Sequence, residues 1–246
     1  MKFRTALFEQ LKSSADVPHV LFTEAVEGAI MELRAQPEGV AISADDRDNL
    51  LAKCAAGEYA ELYLELKAYS QTPGKSNRNF VRFQDNKLAA LAATGAGTVF
   101  LSDHNQYSLA HRGGTITACA LRTDGKTSVL MQTVKLTEPA FIAKALRGLI
   151  DRVSIGWRST GKVLCSVCET ELRACSHYPG ATYEKKLCEA VFTDAVLVET
   201  SAVNVPAVVV ATVIGIRSAS ADPETLKGKR NMKLAFIASM LGLAVT

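Results

Sequence analysis

The stretch Ala195-Val-Leu-Val-Glu-Thr-Ser-Ala-Val-Asn-Val-Pro-Ala207 begins a strongly β-branched run that continues to Ile216. β-branched residues favour strands, and proline is tolerated only where a strand ends or bends. The run therefore predicts two strands separated by a bend, and we expect them to be the most buried part of a sheet. Glu199 lies in this apolar setting, where an unpaired carboxylate is costly to bury. Pairing with a histidine would offset this cost. Alternatively, Glu199 faces solvent on an alternating strand, or Asp194 is the acidic partner of the histidine; we rank Glu199 ahead of Asp194.

The rest of the sheet is predicted from alternation and turn signals outside this run. Residues 59–69 alternate apolar and polar side chains, as a half-buried strand requires. Further strands are expected at 80–83, 98–101, 115–121 and 128–134, the last two joined by a tight Asp-Gly turn. Sheet content is therefore expected to be high.

Two helices are expected between these strands. A short one covers 85–93, and a second runs from a Thr137 cap, with Pro139 in its first turn, through Leu149. The core contacts expected from the second helix are Ala140, Ile142, Ala145, Leu146 and Leu149.

Composition limits the class of protein. The chain has 246 residues, of which 48% are hydrophobic, enough for a substantial core. Its net charge of +3 comes from interleaved charges without a basic stripe, so we expect no nucleic-acid partner. No export signal is evident, which predicts an intracellular location. The apolar last thirteen residues are shorter than the roughly twenty that a membrane span needs, so no membrane partner is expected.

We divide the chain into three regions. Residues 1–57 have helical periodicity, with Thr23 and Ser43 as plausible caps, and residues 58–217 form the β core. Residues 218–246 are a polar linker followed by the apolar tail, which we interpret as a partner-binding helix or the start of a longer region.

Two short segments carry side chains suited to acyl transfer. His104 follows the strand-like Val99-Phe-Leu-Ser, and Ser154 follows a helix and begins another strand in Val-Ser-Ile-Gly-Trp. A serine hydroxyl is a poor nucleophile unless a base and an anion-stabilising pocket assist it. His104 is the candidate base, and Gly156 is expected to let a substrate backbone approach. His111 looks like a loop residue, and His19 is interpreted as structural.

The cysteines predict a metal site. Four of the six lie within 165–188, and the lack of an evident export signal favours metal binding over disulfides. The favoured ligands are Cys165, Cys168, Cys175 and His177, with Cys188 in place of His177 as the alternative. Four filled ligand positions leave none open for water, so the expected ion is a structural Zn²⁺ that staples an insertion at about 162–190.

Taken together, these segments resemble the prohead maturation proteases of tailed bacteriophages, relatives of the herpesvirus assemblin proteases. The resemblance covers about 59–216. It rests on a strand that ends in His104, the Val153-Ser-Ile-Gly-Trp157 motif, the Glu199-to-Ala207 strand and the upstream Asn77-Arg-Asn79 loop. The Cys/His segment and Val208, where asparagine is common, depart from the family pattern.

The resemblance implies an α+β fold with a mainly antiparallel, β-barrel-like core and flanking helices. It also implies a serine endopeptidase with Ser154 as nucleophile, His104 as general base and Glu199 as the acidic third member, and no catalytic cofactor. The expected substrates and partners are scaffold and major capsid proteins, and the chain itself. The expected location is an assembling procapsid in the host cytoplasm, and we expect a homo-oligomer.

Two other functions compete with this one. The chain could be a non-catalytic assembly protein that keeps the fold and binds partners through the zinc insertion and the tail. A metallohydrolase that uses the Cys/His cluster is weaker, because thiolate-rich closed sites are usually structural.

Overall fold

The computed structural model describes residues 42–218. The helices there are α1 (Ala44–Ala56), α2 (Leu88–Gly95) and α3 (Pro139–Leu146), with short 3₁₀ turns at Leu109–His111 and Leu172–Ala174. The strands are β1 (Leu62–Gln71), β2 (Val81–Phe83), β3 (Val99–Ser102), β4 (Arg112–Asp124), β5 (Thr127–Leu136), β6 (Val153–Ser159), β7 (Val163–Cys165), β8 (Thr182–Tyr183), β9 (Lys186–Leu187), β10 (Ala190–Phe192), β11 (Ala195–Ala202) and β12 (Thr212–Ser218). The predictions for residues 1–41 and 219–246, including the Thr23 cap, His19 and the tail, lie outside the described residues.

Seven strands form the main sheet, in the order β12-β1-β5-β4-β3-β11-β6. Neighbours are antiparallel except β3 and β11, which run parallel. The expected mixture of many strands and few helices is therefore confirmed in the described residues.

The expected barrel does not close. Its two edge strands meet only at one isolated bridge, between Arg152 and Thr212. The Val153 N–H donates to the Ala211 carbonyl at 3.5 Å in this bridge, and residues 203–211 connect it to β11. A segment that contains Pro206 cannot supply a continuous ladder, because proline has no N–H to donate.

The alternation of apolar and polar residues in β1 explains which face of the main sheet is buried. Leu62, Leu64 and Leu66 are fully buried, whereas Tyr63 and Glu65 between them are only partly covered. Successive side chains on a strand point to opposite faces, so this pattern fixes the register against the core.

A second sheet, in the order β2-β10-β7, packs beside the first. An aromatic cluster joins the two: the Trp157 ring lies 4.2 Å from Phe192 and 5.1 Å from Phe83, both nearly edge to face. Such contacts add about 0.5–1.5 kcal/mol beyond burial. β6 in the main sheet and β10 in the small one are therefore packed against each other.

The helix ends follow capping rules. The Ser43 hydroxyl accepts a hydrogen bond from the Asp46 N–H at 3.0 Å, and Gly57 ends α1 in the left-handed region, so the expected Ser43 cap is confirmed.

The predicted cap, the predicted end and two of the predicted core contacts of α3 are wrong. Glu138, not Thr137, occupies its N-cap position, and its side chain makes no capping bond. The helix ends at Leu146 because Gly148 adopts a φ of +71°, which favours helix termination. Leu149, expected in the core, is consequently 68% exposed, and Ala140 is also exposed.

Among residues 42–218, no helix is long and apolar enough to cross a membrane.

Candidate functional site

His104 is placed by a tight turn directly after β3. Asp103 and His104 both have positive φ values, 52° and 56°, which L-residues adopt rarely and usually where the surroundings impose them. The Asp103 N–H donates to the Ala202 carbonyl at 2.9 Å, and the His104 N–H donates to the Ser201 hydroxyl at 3.1 Å. The turn therefore fixes the imidazole, which is only 3% exposed, against β11.

Glu199 pairs with this histidine. Its Oε1 lies 2.6 Å from His104 Nδ1, and its side chain is fully buried. Because a carboxylate accepts, Nδ1 carries the proton, and the Nε2 lone pair is left for another partner. The second oxygen, Oε2, accepts from the Ser201 hydroxyl at 2.5 Å. The structure thus brings Glu199, not Asp194, to His104.

Ser154 lies beside this pair through strand register. It is directly opposite Ser201 in the β6–β11 ladder, and Gly156 is paired with Glu199. Directly opposed residues share a face and have Cβ atoms about 4.5–5.5 Å apart. Ser154, Ser201 and Glu199 therefore lie on one face of the sheet.

The reactive atoms of the serine and the histidine are not yet engaged. Within residues 42–218, neither Ser154 Oγ nor His104 Nε2 makes a hydrogen bond, whereas the only fully buried side-chain polar atom without a partner is Asn79 Oδ1. Both reactive atoms therefore retain some access to solvent. Catalytic hydrogen bonds are often long or open before substrate binds, so this geometry suits a nucleophile and its base.

Gly156 has a different role from the expected one. A Cβ at this position would lie 1.9 Å from Glu199 Oε1 and 2.7 Å from its carboxyl carbon. The glycine therefore makes room for the buried carboxylate rather than for a substrate backbone.

A narrow cleft opens beside Ser154. Its walls are the β1 residues Ala68 and Tyr69, four β6 residues, Asn77 and the bend before β12; the lining is Ala68, Tyr69, Asn77, Val153, Ser154, Ile155, Trp157, Ala207, Val208 and Ala211. Most of these side chains are apolar, and the polar groups belong to Ser154, Asn77, the Tyr69 hydroxyl and the Trp157 indole N–H. The cleft is small and adjoins Ser154, so it is a candidate site for a single small group of a ligand.

The other candidates lie elsewhere. Asp194 Oδ1 accepts from the Ala195 N–H at 3.0 Å, and this carboxylate serves the start of β11. His111 lies in a 3₁₀ turn, with its Nδ1 2.8 Å from Ser102 Oγ. This second serine–histidine pair has no acidic partner among the described residues.

The metal-ligand prediction corresponds to a cluster in the structure. Ligand atoms of Cys165, Cys168, Cys175 and His177 all lie within 4.8 Å of one another. Zn–S and Zn–N bonds of about 2.0–2.3 Å place tetrahedral ligands within that range, so the cluster can hold a metal ion. Cys188 is fully buried, with its Sγ 3.7 Å from Cys165 Sγ.

The cysteines of this region differ in their hydrogen bonds and in the pKa values of their thiols. The Val167 N–H points at Cys165 Sγ at 3.4 Å, and Glu169 takes a φ of +61° so that its N–H reaches the Cys165 carbonyl. Hydrogen bonds from Thr170 lower the pKa of Cys168 to about 6, which favours its thiolate. Burial raises the pKa of Cys188 to about 12, which keeps it a neutral thiol unless a metal displaces its proton.

Sequence reasoning missed two parts of this site. Ser201 links Glu199 to the His104 backbone, and its spacing of two residues from Glu199 was the available signal, since such residues share a strand face. Asn77 was quoted as part of a loop and given no role, because nothing local shows that the loop reaches β6.

No protein-family model, curated protein or solved structure significantly matches this chain.

Proposed function

We propose that this chain is a serine endopeptidase. The observation that supports the proposal best is the buried His104–Glu199 pair, 2.6 Å between Nδ1 and Oε1, on the sheet face that also carries Ser154. In the proposal these residues take the three roles of a catalytic triad, namely nucleophile, base and the acid that orients the base. The small cleft that adjoins Ser154 offers room for one group of the substrate, such as the carbonyl oxygen.

The proposed chemistry follows from these roles. Nε2 of His104 takes the proton of Ser154 as Oγ bonds to the scissile carbonyl carbon, whose oxygen becomes negatively charged. Glu199 holds Nδ1 protonated and stabilises the imidazolium. Collapse of the intermediate breaks the C–N bond, and the imidazolium gives its proton to the leaving amine. Water then attacks the acyl group with the same base, which frees Ser154.

The metal cluster has a structural role in this proposal. We assign a Zn²⁺ held by Cys165, Cys168, Cys175 and His177, which fill the four positions of a tetrahedral ion. The cluster begins at the end of β7, and β10, its neighbour in the small sheet, packs through Phe192 on Trp157 of the cleft wall. The ion would therefore hold the small sheet in place without entering the reaction.

The biological setting is proposed from the sequence resemblance. We place the chain with assemblin-like prohead proteases, which implies cleavage of scaffold and capsid proteins, and of itself, inside an assembling procapsid. What supports this setting is the set of three motifs in the order His104, Ser154, Glu199.

The first test is coexpression of the full chain with the scaffold and capsid proteins encoded beside it, followed by intact-mass analysis of every product. Wild type is compared with Ser154→Ala, and Ser102→Ala is the matched control because Ser102 belongs to the other serine–histidine pair. We expect cleavage by wild type and Ser102→Ala, and none by Ser154→Ala.

A fluorophosphonate probe tests the nucleophile without a known substrate. Oγ of an activated serine displaces fluoride from phosphorus, so we expect a single adduct on Ser154. If the wild-type chain cleaves no coexpressed protein and takes up no probe, but still assembles with capsid proteins, the protease proposal is wrong. The non-catalytic assembly protein would then be favoured. Turnover that persists in folded Ser154→Ala and disappears on chelation would indicate the metallohydrolase instead.

A further inference from the structure

The oxyanion formed during acyl transfer needs hydrogen-bond donors, and β6 uses the most obvious one. The Val203 N–H donates to the Arg152 carbonyl at 3.1 Å, whereas the Val153 N–H donates in the opposite direction, to Ala211. Successive residues of a strand direct their backbone groups to opposite sides. Ser154 therefore directs its own N–H towards β11, where it pairs with Ser201. A donor for the oxyanion must come from outside the nucleophile's own backbone.

Asn77 offers such a donor. It lines the cleft together with Ser154. Its Oδ1 accepts from the N–H groups of Asn79 at 2.9 Å and Val81 at 3.1 Å. Only an amide oxygen can accept two N–H donors, so the Nδ2 group is fixed on the other side of the amide. Within residues 42–218 this NH₂ group has no hydrogen-bond partner, and it is not among the fully buried unpartnered atoms.

The loop that carries Asn77 is rigidly held. The Asn77 N–H donates to the Val81 carbonyl at 2.9 Å, and the Phe80 N–H donates back to the Asn77 carbonyl at 3.0 Å. The Arg78 N–H donates to the Ala207 carbonyl at 3.1 Å, which ties the loop to the bend on the other wall of the cleft. An oriented donor that need not reorganise during the reaction is the kind that stabilises a developing oxyanion most.

We propose that Asn77 is a further catalytic residue of the proposed protease, and that its Nδ2 group donates a hydrogen bond to the oxyanion formed when Ser154 attacks the scissile carbonyl. This inference rests on the proposed function. It assigns a chemical reason to the Asn77-Arg-Asn79 loop: the backbone of the loop orients the amide, and the amide faces the reacting carbonyl.

The variant that tests this role is Asn77→Asp. An aspartate keeps an oxygen for the Asn79 and Val81 N–H groups but replaces the NH₂ donor with a second carboxylate oxygen, which repels an oxyanion. Asn86→Asp is the control, because Asn86 lies in an exposed turn before α2 and gains the same charge. Asn77→Ser, which removes the charge effect and shortens the side chain, provides a second variant if Asn77→Asp folds poorly.

Two rates are measured on the full metal-loaded chain: phosphonylation of Ser154 by a fluorophosphonate, and cleavage of coexpressed scaffold protein. Loss of one oxyanion donor costs about 10²–10³-fold in the chemical step. We expect Asn77→Asp to lose that much in both rates with an unchanged KM and melting temperature, Asn77→Ser to lose activity similarly, and Asn86→Asp to match wild type.

The outcomes separate this inference from the proposed function. Folded Asn77 variants that react at the wild-type rate would overturn the oxyanion role and leave the protease intact. An effect confined to KM would also overturn it, since it would make Asn77 a substrate-binding residue. A wild type that neither labels on Ser154 nor cleaves would overturn both proposals together.

Discussion

The buried His104–Glu199 site and the Cys/His cluster lie on neighbouring sheets but are held in different ways. Glu199 is paired in register with a strand on each side, with Gly156 on β6 and Val99 on β3, and its two oxygens bind His104 and Ser201. The cluster takes its ligands largely from loops between β7 and β10, and three of its four residues are only partly buried.

This difference teaches which part of the protein needs a ligand to be ordered. Backbone ladders and direct hydrogen bonds already fix the carboxylate and the imidazole. In the cluster the ligand side chains of Cys168, Cys175 and His177 come from loops and are only partly buried, and His177 Nδ1 lies 3.5 Å from Cys165 Sγ. Changes at the first site should therefore alter reactivity at constant fold, whereas changes at the second should alter the fold first.

The largest expected effect is on reactivity, from Glu199→Gln. An amide cannot stabilise the imidazolium as a carboxylate does, and its NH₂ group, if turned to Nδ1, would hold the proton on the wrong nitrogen. In a Ser-His-Asp triad the corresponding change costs about 10⁴-fold in kcat. We expect a loss of that order in Ser154 phosphonylation, with a near-native melting temperature.

Glu65→Gln is the matched control for Glu199→Gln, because Glu65 is a partly exposed strand glutamate that binds Arg217 at 3.5 Å. It should label at the wild-type rate. Equal labelling of wild type and Glu199→Gln would show that the pair does not activate Ser154.

The next effect is on metal content, and it compares two buried cysteines. Cys165→Ser removes a thiolate from the cluster, and we expect loss of the bound zinc and a fall in melting temperature of roughly 5–10 °C, as a few kcal/mol gives in a domain of this size. Cys188→Ser changes an equally buried thiol and should keep one zinc. Zinc is measured by elemental mass spectrometry.

The contrary result for the metal is equally informative. Zinc loss in Cys188→Ser, with zinc retained in His177→Ala, would make Cys188 the fourth ligand in place of His177. If all three variants retain zinc, the zinc is not bound by this cluster.

Much of the fold was predictable because it depends on local patterns. The alternation of Leu62, Leu64 and Leu66 predicted β1, and Asp124-Gly125 predicted the β4–β5 turn, where Gly125 indeed has a φ of +57°. Boundaries failed where one backbone residue decides them, as with Gly148 at the end of α3. The open barrel could not be foreseen, because the meeting of β6 and β12 depends on the path of residues 203–211.

In the candidate site, too, the features that depend on local sequence were predictable and those that depend on distant contacts were not. The pairing of Glu199 with His104 followed from the cost of burying a carboxylate in an apolar strand, and the metal ligands followed from their spacing. The function of Gly156 and the reach of Asn77 into the cleft depend on contacts between segments far apart in the chain, which no local pattern encodes.

The smallest effect in free energy is expected from Gly156→Ala, which tests whether the ladder alone holds Glu199. The added Cβ would lie 1.9 Å from Glu199 Oε1, so either the carboxylate leaves Nδ1 of His104 or β6 moves away from β11. Overpacking of this kind costs about 1–3 kcal/mol, and urea unfolding measures it.

A double variant identifies which of the two gives way. Gly156→Ala combined with Glu199→Ala removes the group that the new methyl meets, so its loss of stability should be smaller than the sum of the single losses. If the carboxylate moves, Gly156→Ala keeps its sheet and loses phosphonylation of Ser154. Additive losses would instead mean that the strand moves, because the backbone of β6 itself requires Gly156. The carboxylate of Glu199 would then not depend on this glycine to reach His104.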